Sequence, residues 1–207
     1  MALKFIIFPY FCRAMSRYID IHTHRNENLH LSPRAEGRHP WEAELEEEIF
    51  ISSKAEVIGE IGLDFACSVS RERQEEVFLK QLTIAQERGC AVVLHCVKAF
   101  EQIMKILDSF TLRAVIFHGF IGSAQQAQRA LAKGYYLSFG ERCNKSPKTI
   151  EALKVTPLDR IFVESDESTT PIEQIYSLIA NLRGVKSEEL IDAIENNYNR
   201  IFSHDER

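Results

Sequence analysis

Tyr18-Ile19-Asp20-Ile21-His22-Thr23-His24 decides how the rest of the chain is read. Ile19 and Ile21 are β-branched and two apart, the period that puts side chains on one face of a strand. His22 and His24 have the same spacing, so on an extended backbone both imidazoles project to one side. Two neutral imidazoles side by side fill a core poorly but form a ready chelate for a divalent cation. A His-x-His pair is short enough to recur by chance. Its meaning therefore depends on what lies downstream.

The 207 residues, 45% hydrophobic and 27% charged, suit one soluble domain with a substantial core. A net charge of -5 argues against a broad basic surface for gripping nucleic acid, though not against a substrate held locally through metal ions. Cys12, Cys67, Cys90, Cys96 and Cys143 are odd in number, scattered and without a Cys-x-x-Cys pair. No disulfide framework is expected, and a reducing, cytoplasmic setting is. Cys96 draws notice because it follows a candidate ligand. No run reaches the length of a membrane span. Residues 1–17 read as an extension ahead of a domain over 18–207, with Met15 as an alternative start; Pro9 breaks an apolar run that would otherwise imitate a secretory leader.

After His24 the chain is polar, with Pro33, Gly37 and Pro40 as breakers and only a weak strand at Leu29 to Leu31. Trp41, Leu45 and Ile49 recur every four residues and predict an acidic helix over 41–49. From there strands and helices alternate. Strands are expected at 57–61, 91–94, 114–117, 135–139 and 160–163. Helices are expected around Phe78, Leu82 and Ala85, ending before Gly89, and around Phe100, Ile103, Met104 and Leu107. Others begin at Ser123, at Ser146-Pro147, at Thr170-Pro171 and at Ser187. This alternation, without a Gly/Ser-rich linker, reads as one parallel α/β domain.

On that map His22 and His24 close the first strand, Glu60 lies near the end of the second, and His95 and His118 each follow an apolar strand. Asp166 comes just after Ile161 to Glu164. In a closed α/β barrel the carboxyl ends of the strands share the face that carries the active site. Imidazoles and carboxylates without thiolate suit zinc, manganese or magnesium among other divalent ions. Six such side chains are too many for one tetrahedral catalytic zinc with an open position and suit a pair of ions, with Glu60 as the bridge. That is hydrolytic chemistry, most naturally at a phosphoester. No Gly-x-Ser-x-Gly elbow and no Gly-rich phosphate loop offers a competing mechanism.

Ile19 to His24, Gly59-Glu60-Ile61-Gly62-Leu63-Asp64, the helix with Gln74, Phe78 and Gln81-Leu82, Val93-Leu94-His95, Phe117 to Ser123 and Val163-Glu164-Ser165-Asp166 resemble, in order and spacing, the TatD family of metal-dependent hydrolases. Gly37-Arg38-His39-Pro40 is similar to the family's Gly-x-His-Pro turn. The resemblance implies a TIM-barrel hydrolase with two divalent ions. One would be held by His22, His24 and Asp166, the other by His95 and His118, with Glu60 between them. It further implies that Asp166 takes the proton of the attacking water, that Glu164 and Asp64 orient ligands, that His39 contacts substrate, and that the substrate is a phosphodiester in DNA. A modified lysine that serves some amidohydrolases corresponds to Glu60 here, which favours the TatD-like branch.

Three departures qualify the match. Asp166 is followed by Glu167-Ser168 rather than Ala-Pro, which adds negative charge beside the centre. The arginine common after the third histidine is missing; Lys98 is the candidate phosphate contact in its place, as a point charge rather than a fork. Most consequentially, fourteen residues separate His24 from His39 (39 − 24 − 1 = 14). A parallel crossover needs about a dozen residues including its helix. We therefore expect a shortened barrel with fewer than eight regular strands, or one with a wall of irregular chain. Two other readings stand beside the nuclease: hydrolysis of a small phosphoester, ester or amide at the same centre, and a non-catalytic binding protein on a hydrolase scaffold. No obligate protein partner is implied.

Overall fold

The computed structural model describes residues 18–25 and 30–203. The expected extension over 1–17 and Leu29 of the weak strand lie outside them. Six strands, Ala35–Glu36 (β1), Val57–Asp64 (β2), Ala91–Val97 (β3), Val115–Phe117 (β4), Tyr136–Phe139 (β5) and Ile161–Val163 (β6), form one sheet. Every pairing is parallel and the spatial order equals the chain order. Six helices lie among or after them: Arg71–Arg88 (α1), Phe100–Leu107 (α2), Ala124–Ala132 (α3), Pro147–Val155 (α4), Ile172–Arg183 (α5) and Ser187–Phe202 (α6).

The helix boundaries follow local chemistry. Ser70 Oγ accepts from Arg73 N–H to start α1, and Gly89, at φ 64°, stops it in the left-handed conformation glycine adopts freely. Ser123 and Gln126 form a reciprocal capping box at α3. α6 begins at Ser187 itself, with Lys186 before it and no side-chain cap, so the expected Ser187 cap is not made. The strand interiors are buried on both sides: Ala91 to Leu94, Val115 to Phe117 and Ile161 to Val163 are closed to solvent. One apolar cluster runs from Ile19 to Ile201. Among the described residues no helix is long and apolar enough to cross a membrane.

A sheet wound in strict chain order is the arrangement of a barrel, and it is closed here by irregular chain. Ile21 N–H donates to Val163 O (3.2 Å) beyond the outer edge of β6, and Asp20 N–H donates to Leu31 O (3.1 Å) on the segment that leads into β1. The first strand expected in Tyr18 to His24 is thus not a regular strand. It is held by isolated parallel bridges, Ile19 to Leu31 and Thr23 to Asp166. The fold is α/β and TIM-barrel-like, with six regular strands among the described residues, fewer than eight as the short segment between His24 and His39 led us to expect.

The helix expected over 41–49 does not form. A single turn of 3-10 helix, Pro40–Glu42, is followed by loop, and Trp41 and Leu45 are exposed rather than buried as a stripe. Two physical causes are visible. Glu42, Glu44, Glu46, Glu47 and Glu48 would crowd like charges along successive turns. The Leu45 carbonyl, which a helix would give to Ile49 N–H, accepts instead from the Arg38 guanidinium at 3.1 Å, and the same guanidinium holds the Glu47 and Glu48 carbonyls at 2.8 and 3.4 Å.

Candidate metal centre

Glu60 is placed by a bulge. Val57 and Ile58 pair with Ala91 and Val92, but Ile61 pairs with Leu94, so β2 carries one residue more than β3 between those points. The strand continues to Asp64, which puts Glu60 in its middle rather than near its end, the place the sequence suggested. Two glycines make this packing feasible. A methyl group at Gly59 would lie 2.8 Å from Val93 Cβ, and one at Gly62, where φ is 142°, only 2.1 Å from the His95 carbonyl oxygen.

The carboxylate that results is surrounded by imidazoles, and its two oxygens face different groups. Oε1 lies 2.5 Å from His95 Nδ1, 2.5 Å from His118 Nε2 and 3.5 Å from His39 Nε2. Oε2 lies 3.1 Å from His22 Nε2 and 3.6 Å from His24 Nε2. Asp166 Oδ1 closes the second side at 3.6 Å from His24 Nε2 and 4.0 Å from His22 Nε2. The rings of His24, His22, His118, His95 and His39 make an unbroken series of contacts, with centroids 4.9, 4.6, 5.6 and 4.4 Å apart. All six side chains expected to be ligands therefore meet at one mouth.

Three imidazoles have their other nitrogen engaged. His95 Nε2 faces Asp64 Oδ2 at 3.4 Å, which leaves Nδ1 for the centre. His118 Nδ1 faces Glu164 Oε1 at 3.4 Å, which leaves Nε2. His39 is different: its Nδ1 accepts from Trp41 N–H at 3.2 Å as the cap of the 3-10 turn. A neutral imidazole that accepts at Nδ1 carries its proton on Nε2. His39 thus points an N–H donor at Glu60, which suits a contact to substrate better than a metal bond. Lys98 follows β3 with φ 53° and an exposed side chain. No hydrogen bond or ion pair joins it to the centre among the described residues.

One group that holds the centre together carried no role in the sequence reading. Asp20 is buried, its Oδ1 accepts from Ser165 N–H at 2.9 Å, and its Oδ2 accepts from Ser165 Oγ–H at 2.6 Å. Asp166 N–H donates to His22 O at 3.0 Å and His24 N–H to Asp166 O at 3.3 Å. Together these bonds fix His22, His24 and Asp166 relative to one another. The available signal was a charged residue alternating with isoleucines in Ile19-Asp20-Ile21.

The electrostatics are those of a crowded anionic site. Burial pushes Asp20 up to about 6, against the lowering hydrogen bonds from Ser165. Burial and then the nearby Glu164 raise Asp166 above the ordinary carboxylate range. Burial alone would also raise Glu60, but the imidazoles of His118, His22, His39 and His95 around it outweigh burial and hold the group far below that range. Burial opposes a charge on His118, yet Glu164 and Glu60 hold its proton up to about 10. Cys96 takes no part, since burial pushes its thiol up to about 12.

A divalent ion fits this donor set. His22 Nε2 is buried and, despite its nearness to Glu60, has no aligned hydrogen-bond partner; Glu164 Oε2 is likewise buried without one. Buried polar atoms of this kind call for a partner. Ligand atoms of His22, His24 and Asp166, and separately of His22, Glu60 and His118, lie within 4.8 Å of one another.

The model of the family described as TatD related DNase matches residues 21–203. The chain belongs to that family. Among curated TatD-family relatives it is 31% identical over 175 residues to the uncharacterized metal-dependent hydrolase YabD of Bacillus subtilis, covering 75% of this chain and 68% of that one. It is 34% identical over 144 residues to the 3'-5' ssDNA/RNA exonuclease TatD of Shigella flexneri, covering 63% and 55% respectively. The chain thus spans between 55% and 68% of the length of these relatives. The crystal structure of YjjV, a TatD homolog from Escherichia coli, superposes with a TM-score of 0.74 at 21% identity, over 91% of this chain and 99% of that one, and so shares its fold. The expected resemblance to the TatD family is met.

Proposed function

We propose that this TatD-family chain is a metal-dependent phosphodiesterase acting on single-stranded nucleic acid. The observation that carries the reading is the division of Glu60. One oxygen faces His95 and His118 and the other faces His22 and His24, as a carboxylate between two cations requires. On this reading His22, His24 and Asp166 hold one ion, and His95 and His118 the other. Magnesium, manganese and zinc all accept such donors. When bound, two such ions acidify water, neutralise a phosphoryl group and stabilise a leaving oxygen.

The chain's own groups would do the rest. Asp166, with its basicity raised by burial and by Glu164, accepts the proton of the attacking water. His39 offers its Nε2–H to a phosphoryl oxygen. Asp64 and Glu164 fix the rings of His95 and His118 so that one nitrogen of each stays directed at the centre. The exonuclease name of the Shigella relative supports nucleic acid as the substrate class. Residues 18–207 would form the catalytic unit. A reducing cytoplasm is in keeping with Cys67, Cys90, Cys96 and Cys143, which all stand as free thiols.

A second reading, a small phosphoester on the same centre, is favoured by the net charge of -5 and by exposed Glu167 beside Asp166. The test supplies manganese or magnesium with single-stranded DNA or RNA and, in parallel, a small chromogenic phosphoester. Stepwise release of nucleotides is the expected result. Turnover of the small ester alone would decide for the second reading. Hydrolysis of neither, with no metal bound, would sink both.

A further inference from the structure

Trp41 is the only tryptophan of the chain, and the fold leaves it 59% exposed beside the centre. An exposed indole is uncommon enough to need a cause. Here the surroundings hold the ring in place. Pro40 and Ala43 on either side of it are buried. Arg73 Nε–H donates to Ala43 O at 2.8 Å and ties the turn to α1. Trp41 N–H donates to His39 Nδ1, and the indole Nε1–H donates to Asp64 Oδ2 at 2.7 Å. The one polar atom of the side chain is thereby consumed, and what remains toward solvent is an apolar aromatic surface. The ring stands edge-on to His39 with centroids 4.7 Å apart, and 6.1 Å from the ring of His95, which itself reaches Glu60.

A rigid, solvent-facing indole one imidazole away from the candidate metal centre has a defined complement. We propose that Trp41 is the stacking platform for a nucleobase of the substrate, the base of a nucleotide whose phosphate meets the His39 Nε2–H at the edge of the centre. The sugar of that nucleotide spans the gap between the two. Stacking on an aromatic face tolerates any base, so the subsite binds nucleotides as a class without reading sequence. It also answers how a chain without a broad basic surface can hold nucleic acid: the ring contributes affinity that lysines and arginines supply elsewhere. This inference rests on the phosphodiesterase reading, but its test separates the two.

Because Trp41 is the sole tryptophan, its fluorescence reports on this one position in the full chain. A phosphorothioate-linked oligonucleotide added with the divalent ion is expected to quench it, and the same backbone with a base-free sugar at the terminal position is not. With ordinary phosphodiester linkages, Trp41→Ala is expected to raise KM for the oligonucleotide roughly ten-fold while leaving KM for the same oligonucleotide with a base-free terminal sugar within about two-fold. Trp41→Phe, which keeps a ring but loses the bond to Asp64, is expected to restore KM. Equal losses on both substrates, or Trp41→Phe behaving as Trp41→Ala, would mean that the residue acts only by holding Asp64, and would overturn the proposal. So would hydrolysis of the oligonucleotide with no quenching at all. Quenching without hydrolysis of any oligonucleotide would keep the stacking site and overturn the phosphodiesterase reading instead.

Discussion

The two sides of the mouth are built by different means. Glu60, His95 and His118 sit in or directly after β2, β3 and β4, where parallel ladders set each backbone against its neighbour. His22 and His24 sit in chain that has only isolated bridges, and buried side chains do the positioning: Asp20 bonded to Ser165, and Ser165 Oγ accepting from the Thr23 hydroxyl at 2.9 Å. A ligand on a ladder is supported by many weak bonds. A ligand on the irregular side depends on a few buried polar contacts, each worth more on its own.

The largest effects are expected where the sides meet. Glu60→Gln deprives both of their shared carboxylate, and phosphodiester turnover should vanish with the fold intact by circular dichroism. Asp166→Asn should lower turnover by about 10²–10⁴-fold, the range for a lost proton acceptor, with KM nearly unchanged. Normal rates in either variant would refute the roles given to them.

Next come the groups that orient ligands on the ladder side. Glu164→Gln and Asp64→Asn should each lower metal affinity or activity by roughly 10–100-fold, measured by titration with manganese. On the irregular side, Asp20→Ala removes a buried acceptor of two hydrogen bonds and should cost roughly 1–3 kcal/mol in denaturant unfolding. On the two-ion proposal, bound metal should fall from two ions to one, since His95 and His118 keep their ladders. Loss of both ions together would show that the two sides are not independent.

Protonation sharpens the contrast further. Folding raises His118 from 6.5 to about 10 through Glu164 and Glu60, in spite of burial. The folded state then holds this proton more tightly than the unfolded chain does. The stabilisation is complete below about 6.5 and is lost as pH rises through about 10. Tm of the metal-free chain should fall across that window, and saturating divalent ion should flatten the fall, because it takes the proton's place. The smallest effect belongs to the loop below the mouth. Arg38→Ala should cost about 1 kcal/mol and speed amide exchange over residues 45–48, with β2 to β6 unaffected.

The same contrast explains what the sequence made legible. The ladder side was readable because its strands are short apolar runs between capped helices, as at Ser123 and Gly89, and because histidines directly after such runs have a shared direction. The irregular side was not. Trp41, Leu45 and Ile49 have helical spacing, but spacing does not record that Arg38 takes the Leu45 carbonyl a helix would need. Nor does Gly59-Glu60-Ile61-Gly62 announce a bulge; that depends on the count of residues in β3 opposite it. Lys98 was chosen by analogy with a missing arginine, and its side chain is exposed just after β3. Asp20 was overlooked because its partner lies 145 residues away.

That separation has a consequence for the nascent polypeptide. Asp20 and His22 leave the ribosome well before Ser165 and Asp166, which lie more than 140 residues further along the chain and lock them in place. On the proposed metal reading, His22 and His24 are set for an ion only once Ser165 and Asp166 have joined them.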